Sequence, residues 1–271
     1  MVQAVSPARV RALFRPARDS HKGQNGVLLI VAGSKQYHGS AVLATLTATK
    51  FVDLVYFSSV PQNNALIKKL KLATACIITV PRASLKKWLP ACDAVLVGPG
   101  LGRGKQERAL VKSLLHSGKK LVLDADALRV ITPGELNENC LVTPHPGEFL
   151  ALFGESPSAK NVPALAKKYG CTILAKGILG AKGKRADAIA SFDGKTAFSS
   201  GGNAGMTKGG TGDVLAGLCA AFACKNPLFI SACAAAYLNG KAGELCHKKY
   251  RFAYSAEDLV GEVQIAYAKS L

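Results

Sequence analysis

The chain has 271 residues, 49% of them hydrophobic and 19% charged, and 35 Lys and Arg against 17 Asp and Glu leave a formal net charge of +18. That composition supplies a core and excludes disorder, and no apolar run approaches the roughly 18 residues of a membrane helix. The basic excess suits an anionic partner, whether nucleic acid, an acidic membrane surface or a polyphosphate ligand, but the lysines come as scattered pairs without an RNP-type aromatic motif, zinc finger or basic helix, so nucleic acid is set aside and a solvated basic surface is the plainer reading.

Residues 1–20 (MVQAVSPARVRALFRPARDS) carry arginines but no continuous apolar stretch of the kind a signal peptide needs, and a cytoplasmic protein is expected. GVLLIVAG (26–33) reads as a buried strand, SAVLATLTATKFV (40–52) as a helix and LVYFSSV (54–60) as a strand. NNALIKKLKLA is helical, and ACIITV (75–80) is a strand. DAVLVGPGLG (93–102) is a strand running into a glycine turn, and QERALVKSLLHSG (106–118) is an amphipathic helix closed by glycine. KLVLDADAL (120–128) reads as a strand with acidic residues at its end, and CLVTPHPGEF (140–149) as a strand and turn. VPALAKKYG is a helix, CTILAKG (171–177) a strand, and ADAIASFDGKTAFS (186–199) a hairpin with an Asp-Gly turn. From Gly212 the pattern is helical, broken at Pro227.

Continuous apolar strands alternating with helices predict a three-layer α/β/α fold, its mostly parallel central sheet covered on both faces. In such sheets ligands bind outside the carboxyl ends of the strands. Five polar or glycine-rich segments follow strands and should converge there: AGSKQYHGSA, GPGLGRG, DADAL, TPHPGEF and AKG. The eight cysteines form no CxxC pair and no Cys/His cluster with zinc spacing, so reduced core thiols are expected.

KGGTGD, Lys208 to Asp213, carries the clearest chemistry. Its glycines free backbone N–H groups to face one concave space, and the helix that follows adds the positive end of its dipole. Asp213 stands at that helix start, either as a cap or as a base beside a phosphate cradle. No Lys-Ser/Thr follows the glycines, so this is not a Walker A loop, and the spacing is not a GxGxxG fingerprint.

RPARDSHKGQNGVLLIVAGSKQYHGSA, GPGLGR, LDADAL, TPHPGEF and GGNAGMTKGGTGDVLAG occur in that order from about Arg15 to the C-terminus. Together they resemble the blocks of the ADP/ATP-dependent NAD(P)H-hydrate dehydratases, a branch of the ribokinase-like superfamily. The resemblance implies a repair reaction in which hydrated NADH or NADPH is phosphorylated on its ring hydroxyl by ADP or ATP. Loss of phosphate then restores the reduced nicotinamide. It makes Asp213 the base, and the Gly209-Gly210-Thr211-Gly212 backbone the holder of charge on the transferred phosphoryl group. It places Gly39, Ser40, Ala41, Gly100, Gly102, Asp126 and His145 at the hydrated dinucleotide. It wraps Asn203, Gly205, Met206, Thr207 and Gly209 to Gly212 around the donor nucleotide and assigns Glu148 to the Mg²⁺–phosphate site. Asp124 and Asp126 would meet phosphate-bound Mg²⁺ or hold their loop through hydrogen bonds.

Two departures stand out. KGILGAKGKRADAIAS is several residues longer than the family's Lys-Gly-x-x-Asp hairpin, so either Lys176-Gly177 or Lys182-Gly183 fits the nucleotide contact, and Lys176 with Gly177 is favoured. Asn239 stands where relatives often have histidine. The chain reads as a single dehydratase domain over 1–271 without the epimerase domain many relatives carry, so a separate NAD(P)HX epimerase is an expected partner, and a homo-oligomer the expected assembly. A small-molecule kinase of the same fold, acting on a vitamin precursor or a sugar, is the alternative. It leaves TPHPGEF and the Ser-His-Lys-Gly block without a reason.

Overall fold

The computed structural model describes residues 3–70, 72, 74–179 and 185–271. In chain order the elements are β1 (Gln3–Ala4), α1 (Pro7–Arg11), β2 (Val27–Val31), α2 (Gly39–Ala48), β3 (Leu54–Ser58), α3 (Pro61–Leu70), β4 (Ile77–Thr79), α4 (Leu85–Trp88), β5 (Ala94–Val97), α5 (Lys105–Leu115), β6 (Lys120–Leu123) and α6 (Asp126–Val130). They continue as β7 (Cys140–Val142), α7 (Pro146–Phe153), α8 (Asn161–Lys168), β8 (Thr172–Leu179), β9 (Arg185–Ala190), β10 (Thr196–Ser199), α9 (Thr211–Ala223), α10 (Leu228–Tyr250) and α11 (Ala256–Ala268).

Strands that are apolar at every position are stable only where both faces are covered. Successive side chains of β2 accordingly enter opposite cores. Leu28 and Ile30 join the apolar residues of α2, α9, α10 and α11, while Val27, Leu29 and Val31 join those of α5, α6, α7 and α8. All of these strand residues are buried, which gives three layers. On the first face α2 and α9 touch closely: a Cβ on Gly217 would lie 2.6 Å from the Ala44 carbonyl oxygen.

The strand order is β1-β10-β9-β8-β7-β6-β5-β2-β3-β4. From β4 to β8 every neighbouring pair is parallel, whereas β9 runs antiparallel to both β8 and β10. β2 lies between β3 and β5, so the chain reverses its direction of travel across the sheet there. A ligand crevice is expected at such a point, outside the strands' carboxyl ends.

Four local readings change. The helix read over 40–52 begins at Gly39 and closes at Ala48, and the strand read over 120–128 stops at Leu123. Ala125 takes φ 50° and turns the chain, so that Asp126 already begins α6. The TPHPGEF turn runs straight into α7, with Glu148 in its first turn. The strand read over 171–177 continues to Leu179 and joins the hairpin as a three-stranded antiparallel meander, with an irregularity between Ala175 and Ile178. Lys182 and Gly183 lie outside the described residues.

Candidate active site

The carboxyl ends of β2, β5, β6 and β7 each release a loop on the same side of the sheet, where β8 carries its irregularity between Ala175 and Ile178. Glycine is required where these loops cross. Gly33 (φ +76°) donates its N–H to the Pro99 carbonyl at 2.8 Å and so ties the β2 loop to the β5 loop. Gly98 (φ +126°) passes so close to β6 that a Cβ there would sit 1.8 Å from the Asp124 carbonyl oxygen.

Asp124 is 2% exposed. Its Oδ1 accepts from Thr143 Oγ1 at 2.7 Å and from Lys176 Nζ at 3.0 Å, so the loops after β6 and β7 and the irregular part of β8 meet at one carboxylate. Burial works against the charge on Lys176, but the carboxylates of Asp124, Glu148 and Asp213 outweigh it and raise its pKa. Such a cation stays charged at every physiological pH. The next residue, Ala125, is one of two non-glycine residues with positive φ among those described, a conformation that costs on the order of 1–3 kcal/mol. The turn directs Asp124 inward and Asp126 toward the β5 loop. Asp126 Oδ2 accepts from the Gly102 N–H at 2.9 Å and Oδ1 from Arg103 Nε at 2.6 Å. Both oxygens thus hold the GPGLG loop. Gly100 (φ +59°) approaches Tyr37, whose Cβ would be 2.7 Å from an added side chain.

His145 caps α7. Its Nδ1 accepts from the Gly147 and Glu148 N–H groups at 3.0 and 3.3 Å, which places the ring proton on Nε2, 3.4 Å from Glu148 Oε1. Glu148 Oε2 accepts in return from the His145 N–H at 3.0 Å, completing a capping box. The His145 side chain remains half exposed, held at the mouth of the site by Pro144 and Pro146.

Asp213 sits in the first turn of α9. Burial first, then the neighbouring carboxylates of Asp124 and Glu148, push its carboxyl up to about 7, against a hydrogen bond from the Ser40 side chain and the charge of Lys176. Gly210 caps this helix at φ +97°, where a Cβ would meet Leu43 Cδ1 at 2.4 Å, and a Cβ on Gly212 would lie 3.5 Å from Lys176 Nζ. The GGTG turn therefore lies against α2 on one side and Lys176 on the other. Thr211 Oγ1 donates back to the Met206 and Lys208 carbonyls at 2.7 and 3.1 Å and folds the preceding turn onto the helix start. Within that turn Asn203 Oδ1 accepts from the Gly205 N–H and the Tyr254 hydroxyl, at 2.9 and 2.8 Å, and Nδ2 donates to the Gly243 carbonyl at 2.8 Å. Met206 packs on Gly202 and Gly243, and Thr207 bonds its own turn at Ala204.

The fold thus gathers Ser40, Asp124, Glu148, Lys176, Gly212 and Asp213 around one centre. Gly39 and Ala41 flank Ser40 at the start of α2, with Ala41 buried 3.2 Å from the Cβ position of Gly33. Asn203, Gly205 and Met206 form the wall that leads to the GGTG turn, with Gly209 exposed at its rim. Gly177 (φ +60°) donates its N–H to Asp187 Oδ1 at 2.8 Å, and burial raises that carboxyl to about 6. Three residues contribute without having been singled out from sequence: Thr143, Arg103 and Asn63. Thr143 and Arg103 lie inside quoted motifs. Asn63 is a 1%-exposed α3 residue whose Nδ2 donates to the Ser34 carbonyl at 3.1 Å and whose Oδ1 meets His38 Nδ1.

A family model described as NAD(P)H-hydrate dehydratase matches residues 28–264. The chain is 38% identical over 265 residues to the ADP-dependent (S)-NAD(P)H-hydrate dehydratase of Cenarchaeum symbiosum, covering 89% of this chain and 88% of that protein. It is 37% identical to the bifunctional NAD(P)H-hydrate repair enzyme Nnr of Archaeoglobus fulgidus, covering 94% of this chain but only 53% of that protein. The chain thus spans about half the length of this bifunctional relative. Among solved structures, the ADP/ATP-dependent NAD(P)H-hydrate dehydratase of Bacillus subtilis, co-crystallized with ATP/Mg²⁺, superimposes with a TM-score of 0.84 at 25% identity over 100% of this chain and 99% of that one. A ribokinase-like superfamily protein from Enterococcus faecalis, 23% identical, shares the fold with a TM-score of 0.87 over 99% and 96% of the two chains. With the motif order, the sheet topology and the convergence of loops at one edge, these likenesses place the chain in the NAD(P)H-hydrate dehydratase family, on a ribokinase-like fold.

Proposed function

We propose that the chain returns the S-epimer of hydrated NADH and NADPH to NADH and NADPH, driven by ADP or ATP. The observation that carries this reading is Asp213: a carboxyl raised to about 7, at the start of a helix whose preceding glycine turn can receive phosphate, with Lys176 and Asp124 beside it. A base poised near neutrality takes a proton from a hydroxyl far better than an ordinary carboxylate.

Asp213 takes the proton of the ring hydroxyl, and that oxygen attacks the terminal phosphorus of the donor. The bridging P–O bond breaks, leaving AMP from ADP or ADP from ATP. The ring nitrogen's electron pair then expels phosphate as the ring C–O bond breaks, and loss of a proton from the adjacent carbon restores the double bond. Backbone N–H groups of Gly209 to Gly212 and the Lys176 ammonium stabilise charge on the transferred group. Gly39 to Ala41, Gly100, Gly102 and His145 border the dinucleotide, and Asn203 to Thr207 border the donor. Asp126 acts through the loop it holds.

Mg²⁺ fits this site in the manner usual for phosphoryl transfer. No cluster of three or more His, Cys, Asp or Glu able to hold a metal occurs among the described residues, and Mg²⁺ is commonly held by one or two carboxylates plus substrate phosphates. Glu148 and Asp124 are the carboxylates that would hold it with the substrate phosphates, and when bound it would neutralise phosphate charge. The archaeal relative's ADP dependence supports ADP as the preferred donor here.

The test is recovery of reduced-nicotinamide absorbance from the S-hydrate with Mg²⁺ and either ADP or ATP. Recovery with ADP, faster than with ATP, is expected. No recovery with either, from protein that binds nucleotide, would refute the reading.

A further inference from the structure

Arg82 lies in the turn after β4, at the edge of the sheet, in none of the motifs that build the site. Its Nη2 donates to the Gly33 carbonyl at 2.9 Å, and its Nη1 lies 3.7 Å from Glu107 Oε1. Gly33 is the residue whose own N–H reaches Pro99, so Arg82 holds the β2 loop from one side while the β5 loop holds it from the other. Glu107, in the first turn of α5, folds back over the β5 loop: a Cβ on Gly104 would lie 2.5 Å from its Oε2, and one on Gly102 3.8 Å from its Cγ. Gly102 in turn faces Ser34, with a Cβ separation of 3.9 Å. One guanidinium therefore links the loops after β2, β4 and β5.

The arrangement is poor as a stabilising device. Arg82 Nε is buried without a hydrogen-bond partner among the described residues, and the ion pair is long. Burial lowers the guanidinium pKa, and the Glu107 charge only partly offsets it. Buried unpartnered donors are rare and call for a functional reason. The loop it grips supplies one. Beyond Gly33 the chain makes the Ser34–Tyr37 turn, closed by the Ser34 N–H on the Tyr37 carbonyl at 3.1 Å, and enters α2, where Ser40 meets Asp213.

Resting on the dehydratase reading, we propose that Arg82 is a positioning residue for the substrate half of the site. It sets the Gly33–His38 loop against the Gly102–Gly104 loop and so governs affinity for the hydrated dinucleotide without touching the reacting atoms. The nucleotide half, built from Asn203 to Gly212 and Lys176, receives no contact from it.

The experiment compares Arg82→Met, Arg82→Lys, Glu107→Gln and the Arg82→Met/Glu107→Gln double variant, with hydrate and nucleotide varied separately. Arg82→Met should raise the KM for hydrate about tenfold, with kcat and the nucleotide KM within about twofold. Arg82→Lys should recover part of the loss, since an ammonium can still donate to Gly33. The double variant should be no worse than Arg82→Met, as expected for coupled partners. An unchanged hydrate KM, an equal rise in both KM values, or a fall in kcat alone would overturn the proposal. Should Arg82→Met fail to fold, Glu107→Gln carries the same expectation for the hydrate KM. Hydrogen exchange reads the positioning independently of turnover: the Gly33 and Ser34 amides should exchange about tenfold faster in Arg82→Met. Unchanged exchange defeats the proposal whatever the activity. Faster exchange in a protein whose wild type does not dehydrate the hydrate would defeat the dehydratase reading and leave the loop role standing.

Discussion

The ionisation of Asp213 should be legible in the rate. A base must be unprotonated to act, and kcat/KM reports the free enzyme's ionisations. With its carboxyl pushed up to about 7, chiefly by burial and then by Asp124, Asp213 is about nine-tenths ionised at pH 8 and about one-tenth at pH 6. Between those limits kcat/KM for the hydrate should fall about tenfold, whereas an ordinary carboxylate would give a flat profile. Lys176→Met removes the cation that favours the ionised form, so the acid limb should move to higher pH. Asp213→Asn should cost about 10²–10⁴ in rate and abolish the limb. The same ionisation bears on stability, with the opposite sense from a salt-bridged carboxylate. Folded Asp213 keeps a proton that the unfolded chain releases near the ordinary Asp value of 3.8, so its contribution to stability is lost as pH rises from about 4 to about 7. Asp213→Asn should therefore gain stability relative to wild type across that window and hold the gain above it. The assays are kcat/KM for the hydrate against pH with nucleotide and Mg²⁺ held well below saturation, and paired denaturant melts at several pH values. An acid limb below pH 5, or a limb that survives in Asp213→Asn, would refute the assignment.

Other residues make equally definite claims. Gly98→Ala would force a Cβ to within 1.8 Å of a backbone oxygen at φ +126°, and should destabilise by about 3 kcal/mol or more in urea melts; a loss below about 1 kcal/mol would contradict the packing. Asp126→Ala frees the Gly102 N–H and Arg103, so the hydrate KM should rise about tenfold with the nucleotide KM unchanged, and equal effects on both would argue against a substrate-side loop. All eight cysteines are free, seven are buried with their thiol pKa values raised chiefly by burial, and only Cys76 is half-buried. A thiol reagent should find one fast group in native protein and eight after unfolding, and a second fast native thiol would contradict the core.

The strands and the convergence of their loops were legible because a doubly covered parallel sheet demands apolar residues at every position, and few other structures tolerate such runs. The glycines were legible for a related reason. At Gly33, Gly98 and Gly210 the backbone takes positive φ where a Cβ would also collide with neighbouring atoms, so composition itself records the constraint. Ala125 shows the limit of that rule, because it adopts positive φ without being glycine, and the chain turn it makes was read as continuing strand. Side chains that orient the loops leave still less trace. Asn63 reaches Ser34 across 29 residues and Arg82 reaches Gly33 across 49, one from a helix and one from an edge-strand turn, and neither contact has a period that a sequence could display. Counting from Asp187 leaves Lys176 and Lys182 both open, and Lys182 lies outside the described residues. What sets Lys176 beside Asp124 is tertiary: Gly177 turns at φ +60°, Asp187 holds the Gly177 N–H, and the ammonium reaches Asp124 from within β8. Residues that must be of one type to let the backbone pass are thus written locally, whereas residues that aim the chemistry are written only in the fold. On the role proposed for Arg82, a substitution there would shift affinity for the hydrate while every recognisable motif stays intact.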